Sequence, residues 1–546
     1  MMDPEIINIL PLIGLYAETH YRFRYFPFSR YYRREPEIIF DTPHRLEPNA
    51  TLPVILIVKD AHRFPVEIHK VTLSIHHKGI KDGHTAGQDI VSEITLNEKI
   101  TSPFYYKIFD VDASSLPSGM LTVDAKVQFH NGKQERIVHQ DNYIGLTHVP
   151  FKVLKASEPL PRIPDWEAGE LHTHTNYGGD QVEFGAPLEA YQRFARTQGL
   201  SWVALTDHSY NIDDYEDNYL KDDPDLKKWN RFQEYIAQLN RENDDVVLLP
   251  GEELTCRSAT GRNVHMLVIG EKKFISGSGD SAQKWLRTHS ELSVKQAIES
   301  LSEDTFTAAA HPLETVPILQ RLLVGRGNWK EADLQVNRLD GWQILNGNPD
   351  ISFKKGLGEW KSALIKGQRK YIYAGNDAHG NFNRFRQVRL PMVSLYEHNN
   401  HLFGKSLTHI RSGNHSGTKD IINALKTGQV VISNGPALEL TIVKDNHLFH
   451  TGNEVKITGN EKIHLRYSTS TEFGGIESLK LFSAGDKNEN CFPIVDENIE
   501  FKLDDCFKGE VVIPVKGTLY LRAELFTRTK EGKQNFAYSN PIWIRE

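Results

Sequence analysis

Cysteine is nearly missing from this chain of 546 residues: there are three, Cys256, Cys491 and Cys506. So sparse and odd a set excludes a disulfide scaffold and fits a reducing compartment. A basic excess is missing too. Lysine and arginine total 64 against 71 acidic residues, a formal net charge of −7, so no global positive field awaits nucleic acid. No run of about 18 apolar residues occurs, which argues against a membrane span. The start Met1-Met2-Asp3-Pro4-Glu5 is acidic, and the apolar run from Ile6 to Leu15 is broken by Pro11. A secretory signal needs a basic start, a longer apolar core and a small-residue cleavage site. These absences predict a cytoplasmic protein. Charged residues at 25% and apolar ones at 39% are the composition of a soluble globular chain.

A chain this long exceeds one ordinary core and predicts two to four domains. Residues 1–160 carry β-branched runs such as Leu52 to Val58 and Val71 to His76, bounded by turn residues. They predict a β-sandwich. Pro159-Leu160-Pro161-Arg162-Ile163-Pro164 has the composition of a stiff linker. Residues 165–434 alternate strand-like runs (Ser201 to Leu205, Val246 to Leu249, Phe306 to Ala310, Tyr371 to Ala374) with helix-like ones (Pro224 to Asn243, Ser293 to Glu303). That alternation predicts a parallel sheet or barrel with outer helices, and about seven units favour an α/β barrel. Residues 435–546 return to period-two alternation, as in Thr518 to Leu525, and predict a second small sandwich.

Nine side chains of metal-binding type follow short apolar runs: His172, His174, Asp180, His208, Glu253, His265, His311, Asp377 and His379. Histidines at i and i+2 of a strand project both imidazoles to one face. Strands of one sheet or barrel would bring the later ligands to a single site at their C-terminal ends. Any one of these residues could equally cap a helix or form an ion pair. A buried set of them without a cation would leave donors and charges uncompensated. Imidazole and carboxylate without thiolate suit zinc, manganese or iron.

These motifs are Glu170-Leu171-His172-Thr173-His174-Thr175, Leu205-Thr206-Asp207-His208, Pro250-Gly251-Glu252-Glu253, Asn263-Val264-His265, Ala310-His311-Pro312 and Gly375-Asn376-Asp377-Ala378-His379. In this order the set resembles the PHP (polymerase and histidinol phosphatase) superfamily of metallohydrolases over about residues 166–434. Val431-Ile432-Ser433-Asn434-Gly435-Pro436 and the closing Tyr538-Ser539-Asn540-Pro541-Ile542-Trp543 resemble its carbaryl-hydrolase-like branch. The resemblance implies a distorted (β/α)7 barrel flanked here by β-sandwich-like domains, with two or three divalent ions. It implies that His172, His174, Glu253 and Asp377 hold one ion, and Glu253, His265 and His311 a second. His208, His379 and an acid such as Asp180 would hold a third. Asp207 would orient its neighbour by a hydrogen bond. Family members often read Tyr-Ser-Asp-Gly after the first motif, whereas this chain reads Tyr177-Gly178-Gly179-Asp180, so the acid falls one residue late. Glu252 and Glu253 are adjacent, and the strand period points only one of them inward.

The implied chemistry is attack by a water deprotonated between two cations, with Asp207, His208 and Asp377 as candidate catalytic residues. Arg257, Arg262, Arg384 and Arg386 follow ligands closely and are candidates for holding a phosphate, since guanidinium forks suit it. They favour a small anionic phosphoester as substrate. The branch resemblance favours a carbamate, amide or ester instead. A non-catalytic binding protein with a relict site is the third reading. Cys256, three residues after Glu253, reads as a buried structural thiol before a ligand. Tyr21 to Arg34 interleaves arginine with aromatics, and His398 to His415 holds four histidines. The first reads as an arm or edge strand before a nucleic-acid binder. The second reads equally as a lid beside the site or as a plain solvated loop.

Overall fold

Strands form where buried and exposed positions alternate or where whole runs are apolar. The computed structural model describes residues 35–545, apart from 82–83, 143–148, 179–184, 217, 244, 280–287, 385–386, 391–392, 397–400, 414–416, 459–460, 486–487, 496–505 and 510–517. Tyr21 to Arg34, Asp180, Arg386, His398 and His415 therefore lie outside the described residues. The chain divides into two compact units: residues 1–159 with 179–199 and 378–403, and residues 160–178 with 200–377 and 404–546.

In the first unit, Glu37–Asp41, Leu52–Lys59 and Phe104–Val111 form a three-stranded antiparallel sheet. A six-stranded sheet is built around Val66–Lys81, His84–Ile100 and Gly119–His130. Period-two patterning drives it: Leu121, Val123, Ala125, Val127 and Phe129 all point into the core that both sheets share. Helix Leu188–Gln198 ends at Gly199, whose φ of +88° is a left-handed cap that costs glycine little. Its Tyr191 and Phe194 meet Phe382 and Phe403 at ring distances of 4.3–5.3 Å.

The second unit holds one long mixed sheet. Trp166–Thr173, Trp202–Leu205 and Val247–Arg257 run parallel. Asn263–Ile269 returns antiparallel and leads, again antiparallel, into Phe306–Ala309. Gly341–Asn346 and Tyr371–Gly375 then continue parallel. On its other side, Trp166–Thr173 pairs antiparallel with Leu407–Arg411, which pairs with Val430–Ser433 and so with the C-terminal strands. A four-stranded sheet centred on Ala437–Lys444 and Lys462–Ser468 covers those strands over a core of its own. At Gly169 an added Cβ would lie 2.2 Å from the Trp202 indole, so glycine is what lets the buried Trp202 ring lie on the neighbouring strand. Emptying that ring's site would cost about 3–5 kcal/mol.

The expected (β/α)7 barrel is corrected by this architecture. Strand takes 45% of the structure and helix 17%, with eight α-helices among the described residues. A repeating β/α unit needs a helical crossover between each parallel pair. Here Val247–Arg257 turns into Asn263–Ile269 through residues 258–262 with no helix, and Leu407–Arg411 and Val430–Ser433 join antiparallel. The sheet also continues without a break into residues 435–546. Among the described residues no helix is long and apolar enough to cross a membrane.

Candidate metal centre

Six elements of the second unit deliver side chains to one point. His172 and the following His174 come from the end of Trp166–Thr173, and His208 follows Trp202–Leu205. Glu253 lies within Val247–Arg257, and His265 within Asn263–Ile269. His311 follows Phe306–Ala309, and Asp377 follows Tyr371–Gly375. His265 pairs with Thr255 across the hairpin, so Glu253 is its diagonal neighbour on the same face.

Glu253 is the hub. Its Oε1 lies 2.7 Å from His265 Nδ1 and 3.1 Å from His311 Nε2. Its Oε2 lies 3.0 Å from His208 Nδ1 and 3.4 Å from Nε2 of both His172 and His174. Asp377 Oδ1 closes the first group, 3.0 Å from His174 Nε2 and 3.4 Å from His172 Nε2. The two Nε2 atoms are 3.2 Å apart. Ligand bonds of about 2.0–2.2 Å place tetrahedral ligands roughly 3.3–3.6 Å from one another. The five separations within His172, His174, Glu253 and Asp377 span 3.0–3.4 Å, so this group fits one cation. His208, Glu253 and His265 form a second group able to hold an ion, with His311 on the same Glu253 oxygen as His265.

The electrostatics keep the cluster's carboxylates ionised, which suits a site for cations. Burial alone would push the Glu253 carboxyl up, but the imidazoles of His265, His172 and His208 outweigh it and hold it well below the ordinary range. Asp377 is likewise pushed up by burial and pulled well below by His172 and His174. Burial works against protonated His174, yet its bonds to Asp377 and Glu253 lift it to about 10. For His208 burial wins, and the ring falls to about 4, a neutral ligand form.

The remaining site candidates are distributed as follows. Glu252 is buried away from the cluster, takes a 2.9 Å bond from the Ser209 hydroxyl, and is pushed by burial up to about 8. The structure thus turns Glu253, not Glu252, to the ligands. Asp207 spends both oxygens on Thr175, accepting from its amide and its hydroxyl at 2.7 Å each. It therefore holds the loop after His174. His379 belongs to the first unit, where its carbonyl accepts from Arg384. Arg257 is half-buried and donates to the Ser290 carbonyl at 3.4 Å. Arg262 is exposed and donates to the Arg321 carbonyl. Arg384 departs from the expectation of a substrate arginine. It is buried, 3.3 Å from the buried Asp41 carboxylate, and also bonds Gly380 and His379 carbonyls, which makes it a structural clamp. Cys256 is fully buried, and burial pushes its thiol up, so it is an inert core group.

Three supporting residues were given no role in the sequence reading. Gln343 Oε1 lies 2.9 Å from His172 Nδ1, and Glu314 Oε2 lies 3.2 Å from His311 Nδ1. Each holds the ring nitrogen opposite to the one facing Glu253, the usual support of a metal-ligating histidine. Glu170, buried and pushed up to about 7 by burial, accepts from the amides of His172, Asn376 and Gly404. A glutamine in the apolar run Trp342-Gln343-Ile344 was the available signal.

No family model matches the chain, and no curated protein matches it. Among solved structures, it is similar to sporulation control protein Spo0M from Bacillus subtilis at 12% identity, over 24% of this chain and 60% of that one, with a TM-score of 0.14. It is similar to a calcium-binding mutant of Bacteroides uniformis beta-glucuronidase 2 at 9% identity, over 93% of this chain and 60% of that one, TM-score 0.17. It is also similar to a cycloisomaltooligosaccharide glucanotransferase from Paenibacillus sp. complexed with cycloisomaltoheptaose, at 10% identity over 93% and 70% of the two chains, TM-score 0.17. The chain spans 60% of the length of the first two. Likenesses this slight carry no argument about fold or activity.

Proposed function

We propose that the protein is a metal-dependent hydrolase of small phosphoesters, using zinc, manganese or iron. The observation that carries this reading is the near-tetrahedral spacing of His172, His174, Glu253 and Asp377 around a common point, with His208, His265 and His311 on the same Glu253 carboxylate. The likeness of these motifs to the PHP superfamily supports it. Divalent cations held there would supply a water nucleophile deprotonated near neutral pH and neutralise charge developing on the substrate. The chain's own residues do the rest. Glu253 joins the two ligand groups, Gln343 and Glu314 fix the tautomers of His172 and His311, and Asp207 and Glu170 hold the ligand loops in place. Arg257 lies four residues beyond Glu253 on the same strand face, which suits it to receive a phosphoryl oxygen.

A second reading, hydrolysis of a carbamate, amide or ester by the same ligands, is favoured by Arg384. Its commitment to Asp41 removes one guanidinium from the anion-binding set. A panel of phosphate and carbamate substrates, assayed with each metal after elemental analysis, separates the readings. Metal uptake with phosphoester turnover supports the first and carbamate turnover alone supports the second. A protein that takes up none of these metals would refute both.

A further inference from the structure

The two most exposed large apolar side chains among the described residues stand on one short helix, Ile318–Leu323. Ile318 is 76% exposed and Leu322 73%. Four residues apart, they share one helix face. Exposed apolar groups gathered within a polar rim mark interaction surfaces, and the rim here is basic. Residues 315–330 contain Arg321, Arg326 and Lys330 and no acid, in a chain whose net charge is −7. The turn 258–262 adds Arg262, whose guanidinium donates to the Arg321 carbonyl at 2.9 Å. Arg262 and Arg321 are both exposed. The acids beside this surface are committed elsewhere: Glu314 to His311, Glu331 to Lys366, and the buried Asp333 to the Ala259 amide. Hydrogen bonds tie the helix to the strands of the metal centre. The Asn263 carbonyl accepts from the Gly327 amide at 2.9 Å, its amide donates to the Gly325 carbonyl at 3.0 Å, and its side chain donates to the Val324 carbonyl at 2.8 Å. Asn263 stands two residues before His265 on the same strand, so the helix lies at the end of the sheet that carries the ligands.

We propose that this surface docks the protein on an anionic lipid bilayer. Ile318 and Leu322 enter the boundary between headgroups and acyl chains, and Arg262 and Arg321 meet the negative charge of the headgroups. A bilayer answers both halves of the surface, with apolar chains for the pair and anions for the rim. A second copy of the same surface would set arginine against arginine, and like charges brought together in an interface are costly. Docking of this kind lies on the bilayer, needs no spanning helix and is reversible, because a small apolar area and a few cations hold loosely. The surface carries this inference without the hydrolase reading. Taken with that reading, docking brings the phosphoesters of lipid headgroups to the end of the sheet that carries the ligands.

Co-sedimentation of the full chain with vesicles of equimolar phosphatidylserine and phosphatidylcholine tests this, beside vesicles of phosphatidylcholine alone. Wild type should bind the mixed vesicles at least about tenfold more tightly than the neutral ones at low salt, and the difference should shrink as salt is added. Ile318→Asp combined with Leu322→Asp should weaken binding to the mixed vesicles by about tenfold or more. Arg321→Glu should weaken it about as much and leave binding to neutral vesicles unchanged. All three side chains are exposed, so thermal melts of the variants should match wild type. Absence of wild-type binding to the mixed vesicles would overturn the proposal, as would equal affinity for both kinds of vesicle or equal binding by wild type and variants. A dimer in sedimentation velocity that Ile318→Asp with Leu322→Asp abolishes, without vesicle binding, would give the surface to a second copy instead. Vesicle binding by a protein that hydrolyses nothing would sustain the docking and overturn only the hydrolase reading.

Discussion

Glu253→Gln and Glu252→Gln are the most informative pair of substitutions, because the residues are adjacent and their surroundings are opposite. Glu253 puts both oxygens within 2.7–3.4 Å of five imidazoles. An amide there lacks the negative charge and offers one acceptor where two are used. Removing a group that merely supports a ligand lowers metal affinity about 10–100-fold. Glu253 belongs to both ligand groups, so its loss should exceed about 100-fold, or about 2.8 kcal/mol, at each. Glu252 is a contrast. Burial pushes its carboxyl up to about 8, so near neutral pH it is already protonated, and glutamine keeps its shape and its acceptor for Ser209. Metal content after dialysis against a weak chelator should fall to near zero in Glu253→Gln and stay within about twofold of wild type in Glu252→Gln, by elemental analysis. Thermal melts in excess metal show whether both variants fold. Equal metal loss, or greater loss in Glu252→Gln, would refute the assignment of Glu253 as the shared ligand.

Three further outcomes are expected. Arg384→Met strands the buried Asp41 charge and should cost about 3–5 kcal/mol in urea unfolding, largely recovered by adding Asp41→Asn; a loss below about 1 kcal/mol would show that the clamp is not needed. Asp340 is raised from 3.8 to about 6, first by burial, against the pull of the Thr307 amide and Lys426. A carboxyl raised on folding holds its proton longer in the native state, so its contribution is full below pH 3.8 and is lost as pH rises through 6. A rise of that size corresponds to about 3 kcal/mol. Asp340→Asn should flatten the wild-type decline in stability across that window, and an unchanged slope by pH-dependent melts would count against it. Arg257→Ala should raise KM for p-nitrophenyl phosphate about tenfold and leave a neutral p-nitrophenyl ester unaffected; equal effects on both would remove Arg257 from phosphate binding.

The candidate cluster was legible in the sequence because His172, His174, His208, His311 and Asp377 come at or just after strand ends, where a sheet offers side chains to a common edge, whereas Glu253 and His265 lie inside their strands. The pairing of His172 with His174 followed from the strand period alone. The architecture was less legible. Apolar runs mark strands but carry no sign of direction, so the antiparallel return of Asn263–Ile269 looked like another parallel unit. Pro224 to Asn243 read as a helix and forms Lys227–Glu242, because its apolar residues recur at helical spacing. Leu407–Arg411 and Val430–Ser433 are fully apolar or mixed runs of four or five residues, too short for periodicity to show which neighbours they take. Arg384 was misread because proximity to a ligand in sequence says nothing about Asp41, more than 300 residues earlier. Gln343 and Glu314 escaped notice because support of a histidine is a matter of the third dimension.

Backbone conformation adds an argument that composition could not supply. His311 and Asp377 have φ of +31° and +51°, in the left-handed region where a residue with a Cβ is held at a cost of about 1–3 kcal/mol. Neither position needs that conformation to end a strand, since glycine would do so without strain. The surroundings enforce it: Glu170 grips the amide of Asn376 beside Asp377, and Ala310 beside His311 donates to the His265 carbonyl at 3.1 Å. Both strained residues turn a ligand atom toward Glu253 or its partners. Strain kept at two candidate ligands, one of them beside an amide gripped by the buried Glu170, suits the proposed metal centre better than a cluster that only stabilises the fold. A structural role would be served as well by relaxed backbone and apolar contacts, whereas a site that must receive cations has reason to hold these atoms where they are.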